Sequence, residues 1–126
     1  MNKDLQIAKK TVQTEIQALK KLSASLGRSS HFSKAVNLIF KIKGKCLVVG
    51  VGKSYLVGLK VAATLSSLGT PSAAFSANDL QHGGLGAIQK NHDALLIFSV
   101  SGESSELNSI LRYANRHGIP IIGVSC

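Results

Sequence analysis

Four short apolar runs, "CLVVG", "SAAF", "ALLIFS" and "PIIGVS", recur between residues 46 and 125, with helix-patterned spans separating them. A strand that reads as a continuous apolar run is buried on both faces, which requires helices above and below the sheet. Strands alternating with helices in this way point to a parallel sheet. The pattern predicts a three-layer, doubly wound parallel α/β sheet of flavodoxin-like type with four strands present. Its helices are expected over Ser54–Leu68, stopped by Gly69 and Pro71, and over Glu103–His117, ended by Gly118. The stretch "SANDLQHGGLGAIQKN" between the second and third strands reads as irregular.

Two helices are expected ahead of the sheet. Leu5, Ala8, Val12, Ile16, Leu19, Leu22 and Leu26 step by three and four along one helical face, with Gly27 as a stop. Ser29 or Ser30 can cap a second helix with Phe32, Ala35, Val36, Ile39 and Phe40 as its apolar stripe. The expected division is a helical segment over residues 1–44 and an α/β domain over 45–126. Because the last residues follow directly on a strand, the domain is expected to be truncated at its C-terminus. With no core of its own, the first stripe is expected to pack against another subunit.

The net charge of +9 invites a nucleic-acid reading, but residues 1–45 account for +8 of it and the sheet region for +1. With few aromatics to stack bases, nucleic acid is not an expected partner. "MNKDLQIAKK" lacks the apolar core of a signal peptide, and no run approaches the ~20 apolar residues of a membrane span. Cys46 and Cys126 have no metal or disulfide spacing, so a reducing cytoplasm is the expected setting.

In an open parallel sheet, ligands bind beyond the strands' carboxyl ends, where the strand order reverses. A 2-1-3-4 order makes the first and third strands neighbours at that point. The loops after them, "GVGKS" and "SVSGESSEL", both carry hydroxyls and both lead into helices. Two converging helix N-termini with serines suit a phosphate monoester. A nucleoside triphosphate loop would need glycine where Leu47 stands, and a dinucleotide fingerprint would need it at Tyr55.

"GVGKS", "AATLSSLGTPS", "HGGLGAI" and "FSVSGESSEL", in this order over about residues 30–126, resemble the sugar isomerase (SIS) domain, and most closely the arabinose-5-phosphate isomerase family. The resemblance implies interconversion of D-arabinose 5-phosphate and D-ribulose 5-phosphate, towards the lipopolysaccharide sugar Kdo, in cytoplasmic homotetramers. It implies a pentose 5-phosphate ligand, no cofactor and no metal. Many members carry paired CBS domains after the SIS domain, and a further family histidine sits in a Ser-His-Pro-Gly-Gly segment beyond the residues matched here. By resemblance, Gly52, Ser54, Ser99, Ser101, Gly102 and Ser104 hold the phosphate, and Lys53, His82 and Glu106 match catalytic positions. The residue types suit the chemistry: Glu106 as base, Lys53 stabilising an enediolate oxygen, His82 in ring opening or proton shuttling.

Each of these residues also has a plainer reading. Glu103 and Glu106 would be favoured in a first helical turn whatever they did, and Lys53 could be solvated. Glu103 is the reserve candidate for the base. The chain departs from the family in three places: Tyr55-Leu56 stands for Gly-His, Gly84 for Asp, and Val100 for Asn. Those changes leave two alternatives beside the pentose isomerase: a non-catalytic sugar-phosphate sensor, and an isomerase of another phosphosugar.

Overall fold

The computed structural model describes residues 2–125, which divide into two compact units between Lys34 and Ala35. In the first, α1 (Lys3–Ser25) starts at Asn2, whose side chain accepts the Asp4 N–H at 3.1 Å. No residue of α1 is buried. Its seam residues Leu5, Val12, Leu19, Leu22 and Leu26 are 44–64% exposed. Helix α2 (His31–Lys41) crosses the boundary between the units. Ala35, Leu38 and Ile39 are its half-buried residues. Phe32, Val36 and Phe40, expected on the buried face, are instead exposed. Periodicity defined an apolar stripe, but the packing favours a face rotated from its centre.

Four strands follow in the second unit: β1 (Cys46–Gly50), β2 (Ser72–Ser76), β3 (Ala94–Phe98) and β4 (Ile121–Val124). They form a wholly parallel sheet in the order β2-β1-β3-β4, the expected topology. All five residues of β1 are buried, because it lies inside the sheet with both faces covered. Alternation along the strands sorts side chains to opposite faces. Leu47, Val49, Leu95 and Ile97 pack with Ala77, Leu80, Ile110 and Ala114 on one face. Cys46, Val48 and Leu96 pack with Ala62 of α3 (Lys53–Ser67) on the other. Burial pushes the Cys46 thiol up to about 11, so it is an inert core group.

Two segments differ from expectation. The stretch after β2 is not irregular throughout: it contains α4 (Ala77–Gln81) and a 3₁₀ turn at Gly84–Ala87. Ser76 caps α4 by accepting the Asp79 N–H at 3.1 Å while donating to the Asp79 carboxylate at 2.7 Å. The second difference is a late helix start: α5 spans Asn108–Arg116, preceded by a 3₁₀ turn at Ser105–Leu107. The N–H groups of Gly102 and Glu103 are taken by the Ser99 and Ser101 hydroxyls, each at 3.1 Å, which holds the backbone out of a helix there.

At the amino edge of the sheet, Asp93 is 1% exposed. It accepts from the Lys45 N–H at 2.8 Å, the Lys45 ammonium at 2.9 Å and the Gln89 N–H at 2.8 Å. Burial raises its pKa, but these donors outweigh that and hold the carboxyl below its ordinary value. This node joins the starts of β1 and β3 at the edge opposite the loops considered next.

Candidate functional site

The carboxyl ends of the strands are level. Gly50 lies opposite both Ser76 and Phe98, and Phe98 opposite Val124, so the four strands end along one edge of the sheet, and the loops after β1, β2 and β3 leave it side by side. At about 4.8 Å between strands, that edge spans about 14 Å.

The loop after β1 is shaped by two glycines. A Cβ on Gly50 would lie 2.6 Å from the backbone of Ser54 and Tyr55, so the first turn of α3 can sit on the strand end only if residue 50 has no side chain. Gly52 has φ +55° and ψ −121°, and a Cβ there would meet open space. Conformation rather than crowding selects this glycine. The Ser54 and Tyr55 N–H groups bond Val51 and Gly52 carbonyls at 3.1 Å, which leaves Gly52 and Lys53 N–H groups without an intrahelical acceptor. The Lys53 side chain is exposed beside them.

The loop after β3 meets the first as the strand order requires. Ser54 and Ser99 line one cavity of about 160 Å³, with Val57, Phe98, Val100 and Val124 as its apolar wall. That is the space of about five liquid waters, enough for a phosphoryl group. Ser99 is 8% exposed, accepts the Gly102 N–H at 3.1 Å, and lies 3.3 Å from the Ser104 hydroxyl. Ser104 is therefore joined to the cavity through Ser99. Ser101 is exposed and accepts the Glu103 N–H at 3.1 Å, so it fixes the loop without lining the cavity. Glu103 is exposed.

His82 and Glu106 lie on a third loop and on the 3₁₀ turn, and neither they nor Lys53 line that cavity. His82 ends α4, and the neighbouring Gln81 amide donates to the backbone carbonyl of Glu106, tying the two segments together. The Glu106 carboxylate accepts from the Ser105 hydroxyl at 3.3 Å and is exposed. Lys53, His82 and Glu106 all stand on the carboxyl edge, but no hydrogen bond or ion pair joins any two of them among the described residues. Gln81 and Ser105, which hold Glu106, were not anticipated. For Gln81 the available signal was Ser-x-x-Asp at Ser76–Asp79, a helix-start pattern that puts Gln81 at the end of a short helix. Among the described residues, no three His, Cys, Asp or Glu side chains gather to hold a metal ion, and no helix is long and apolar enough to cross a membrane.

A level parallel edge at a strand-order reversal, with two hydroxyl-bearing loops on one cavity, is the place where doubly wound α/β domains take their ligands. The SIS domain family matches residues 27–126, and the chain belongs to that family. It is 40% identical over 118 residues to the arabinose 5-phosphate isomerase KdsD of Pseudomonas aeruginosa, covering 94% of this chain and 35% of that protein. It is 35% identical over 121 residues to the arabinose 5-phosphate isomerase GutQ of Escherichia coli K12, covering 96% and 37% respectively. The chain thus spans about a third of the length of these curated relatives. Among solved structures it is similar to the c3406 protein of E. coli CFT073 in complex with arabinose 5-phosphate, with a TM-score of 0.89 and 30% identity, covering 99% of this chain and 66% of that one.

Proposed function

We propose that this chain is the SIS part of an arabinose 5-phosphate isomerase, interconverting D-arabinose 5-phosphate and D-ribulose 5-phosphate on the route to Kdo. The observation that carries the reading is the shared cavity of Ser54 and Ser99 at the β1–β3 reversal. Two relatives named as arabinose 5-phosphate isomerases, and a related structure holding arabinose 5-phosphate, support a pentose 5-phosphate over other anions.

In this reading, residues 45–126 carry the site and residues 1–44 the association surface of a cytoplasmic homotetramer. The phosphate takes the free Gly52 and Lys53 N–H groups and the Ser54 hydroxyl from one loop. From the other it takes Ser99, Ser101, Gly102 and Ser104, replacing bonds the loop now makes to itself. His82 assists opening of the sugar ring. Glu106 removes the C2 proton of the open-chain aldose and returns it to C1, while the O2 proton passes to O1 through the enediol. Lys53 stabilises the negative charge that develops on the enediolate oxygen. Gln81 and Ser105 act as positioning residues for Glu106.

One observation favours a second reading, a non-catalytic phosphosugar sensor. Leu56 and Val100 are 62% and 70% exposed at positions where the family pattern has His and Asn, which makes the rim less polar. A coupled assay for ribulose 5-phosphate formation, run beside a binding titration on the protein that carries this chain, separates the two. Turnover lost in Glu106→Gln supports the isomerase; binding with no turnover in the unmodified protein supports the sensor.

A further inference from the structure

The outer face of α5, facing the end of α4, forms a groove of about 940 Å³ outside the phosphate cradle. Arg112 and Arg116 stand one helical turn apart on one wall, with Ser109 and Tyr113, and Gln81 and Leu85 form the other. No acidic residue lines it, and among the described residues neither guanidinium has a carboxylate partner. A helix C-terminus accounts for Arg116 but not for Arg112 in mid-helix. Beyond the groove, the His117 ring meets Tyr113 edge-on at 4.4 Å between centroids. Desolvation, then Lys90 and Arg116, hold its pKa below the ordinary value.

We propose that this groove binds a small organic polyanion, with one phosphoryl or carboxyl group on each guanidinium and its carbon body on Leu85 and Tyr113. Residues four apart on a helix stand about 5–6 Å apart at Cβ, which suits two acidic groups on one small molecule. Each guanidinium can grip such a group bidentately, and the volume lies in the range of small-molecule sites. The groove is separate from the phosphate cradle, since neither Ser54 nor Ser99 lines it. An occupant would, however, touch Gln81 and Ser105, the two side chains that bond Glu106. The binding claim does not rest on the isomerase reading.

Titration calorimetry on the full chain with pyrophosphate and with citrate, at physiological ionic strength, tests it. Saturable binding of at least one probe is expected, and Arg112→Gln with Arg116→Gln should weaken it about tenfold or more. Ser109→Glu, an acid added to the same wall one turn before Arg112, should weaken it too. Lys20→Gln with Lys21→Gln removes the same charge elsewhere and should change affinity less than about twofold. Binding confined to pyrophosphate assigns a bisphosphate ligand, and binding confined to citrate a polycarboxylate. Absence of saturable binding to either probe, equal weakening by the lysine pair, or loss through Ser99→Ala instead of the arginines would overturn the proposal.

Discussion

Ser99, Ser101 and Ser104 occupy one short loop, but they do not stand equally close to the cavity. Ser99 is on its wall, Ser104 bonds to Ser99 at 3.3 Å, and Ser101 holds the Glu103 N–H at 3.1 Å. Losing a hydrogen bond to a charged ligand costs ~1.5–3 kcal/mol, so Ser99→Ala or Ser104→Ala should weaken phosphosugar binding roughly ten- to a hundredfold by calorimetry. Asp93 belongs to stability instead. Asn keeps one acceptor oxygen but turns an NH2 group towards donors that the second carboxylate oxygen accepts, so Asp93→Asn should cost about 2–4 kcal/mol in urea denaturation, below the full buried-pair range because the Lys45 ammonium is partly exposed. The folded-state pKa is lowered, so the contribution is complete above the unfolded value of 3.8 and is lost as pH falls through the folded value. Asp93→Asn should therefore show a shallower loss of stability below that pH; a loss as steep as the unmodified protein's would contradict the assignment. Asp93 was not legible in the sequence, because an aspartate after Asn91-His92 reads as an ordinary turn residue until the fold buries it.

Among the elements, the strands were legible because continuous apolar runs leave few alternatives, and the meeting of the two serine loops followed from the strand order. The helices after β2 and β3 were less so. Helix α4 has five residues, fewer than two turns, too short for an apolar period to register, and its capping pair is the only strong local signal. Helix α5 begins at Asn108 instead of Glu103 because serine hydroxyls occupy the N–H groups that a helix start would have left open. Glu106 is consequently in a 3₁₀ turn, held by Gln81 and Ser105 and not by a helical first turn. The loop before α3 makes a sharper prediction. Gly52→Ala forces a side chain into φ +55° with no clash to relieve, so it should cost ~1–3 kcal/mol in thermal unfolding and also reduce phosphate affinity. Unchanged unfolding would mean that the loop does not hold this conformation in solution.

For the whole molecule, α1 is the part whose apolar surface has no account within its own unit. Leu5, Val12, Leu19 and Leu26 repeat every seven residues, with Ala8 and Leu22 between them, a seam that suits a second helix of the same period. Lys10, Lys20 and Lys21 stand off the Leu5–Leu26 line, while Glu15 takes the position on the seam that Ala8 and Leu22 fill one repeat before and after it. Paired Leu5→Ser and Leu19→Ser should lower the mass seen by light scattering without changing far-ultraviolet circular dichroism; an unchanged mass would contradict self-association through this seam.

The proposed function assigns binding to Ser99 and chemistry to Glu106, and comparing Glu106→Gln with Ser99→Ala in the protein that carries this chain tests that division most directly. Calorimetry with D-arabinose 5-phosphate and a steady-state isomerase assay are run on both variants. A general base acts mainly in the transition state and supplies ~10²–10⁴ in rate, so Glu106→Gln should keep affinity within a few-fold while turnover falls at least about a hundredfold. Ser99→Ala should do the reverse, losing affinity first. Near-normal turnover in Glu106→Gln, or unchanged affinity in Ser99→Ala, would contradict the account.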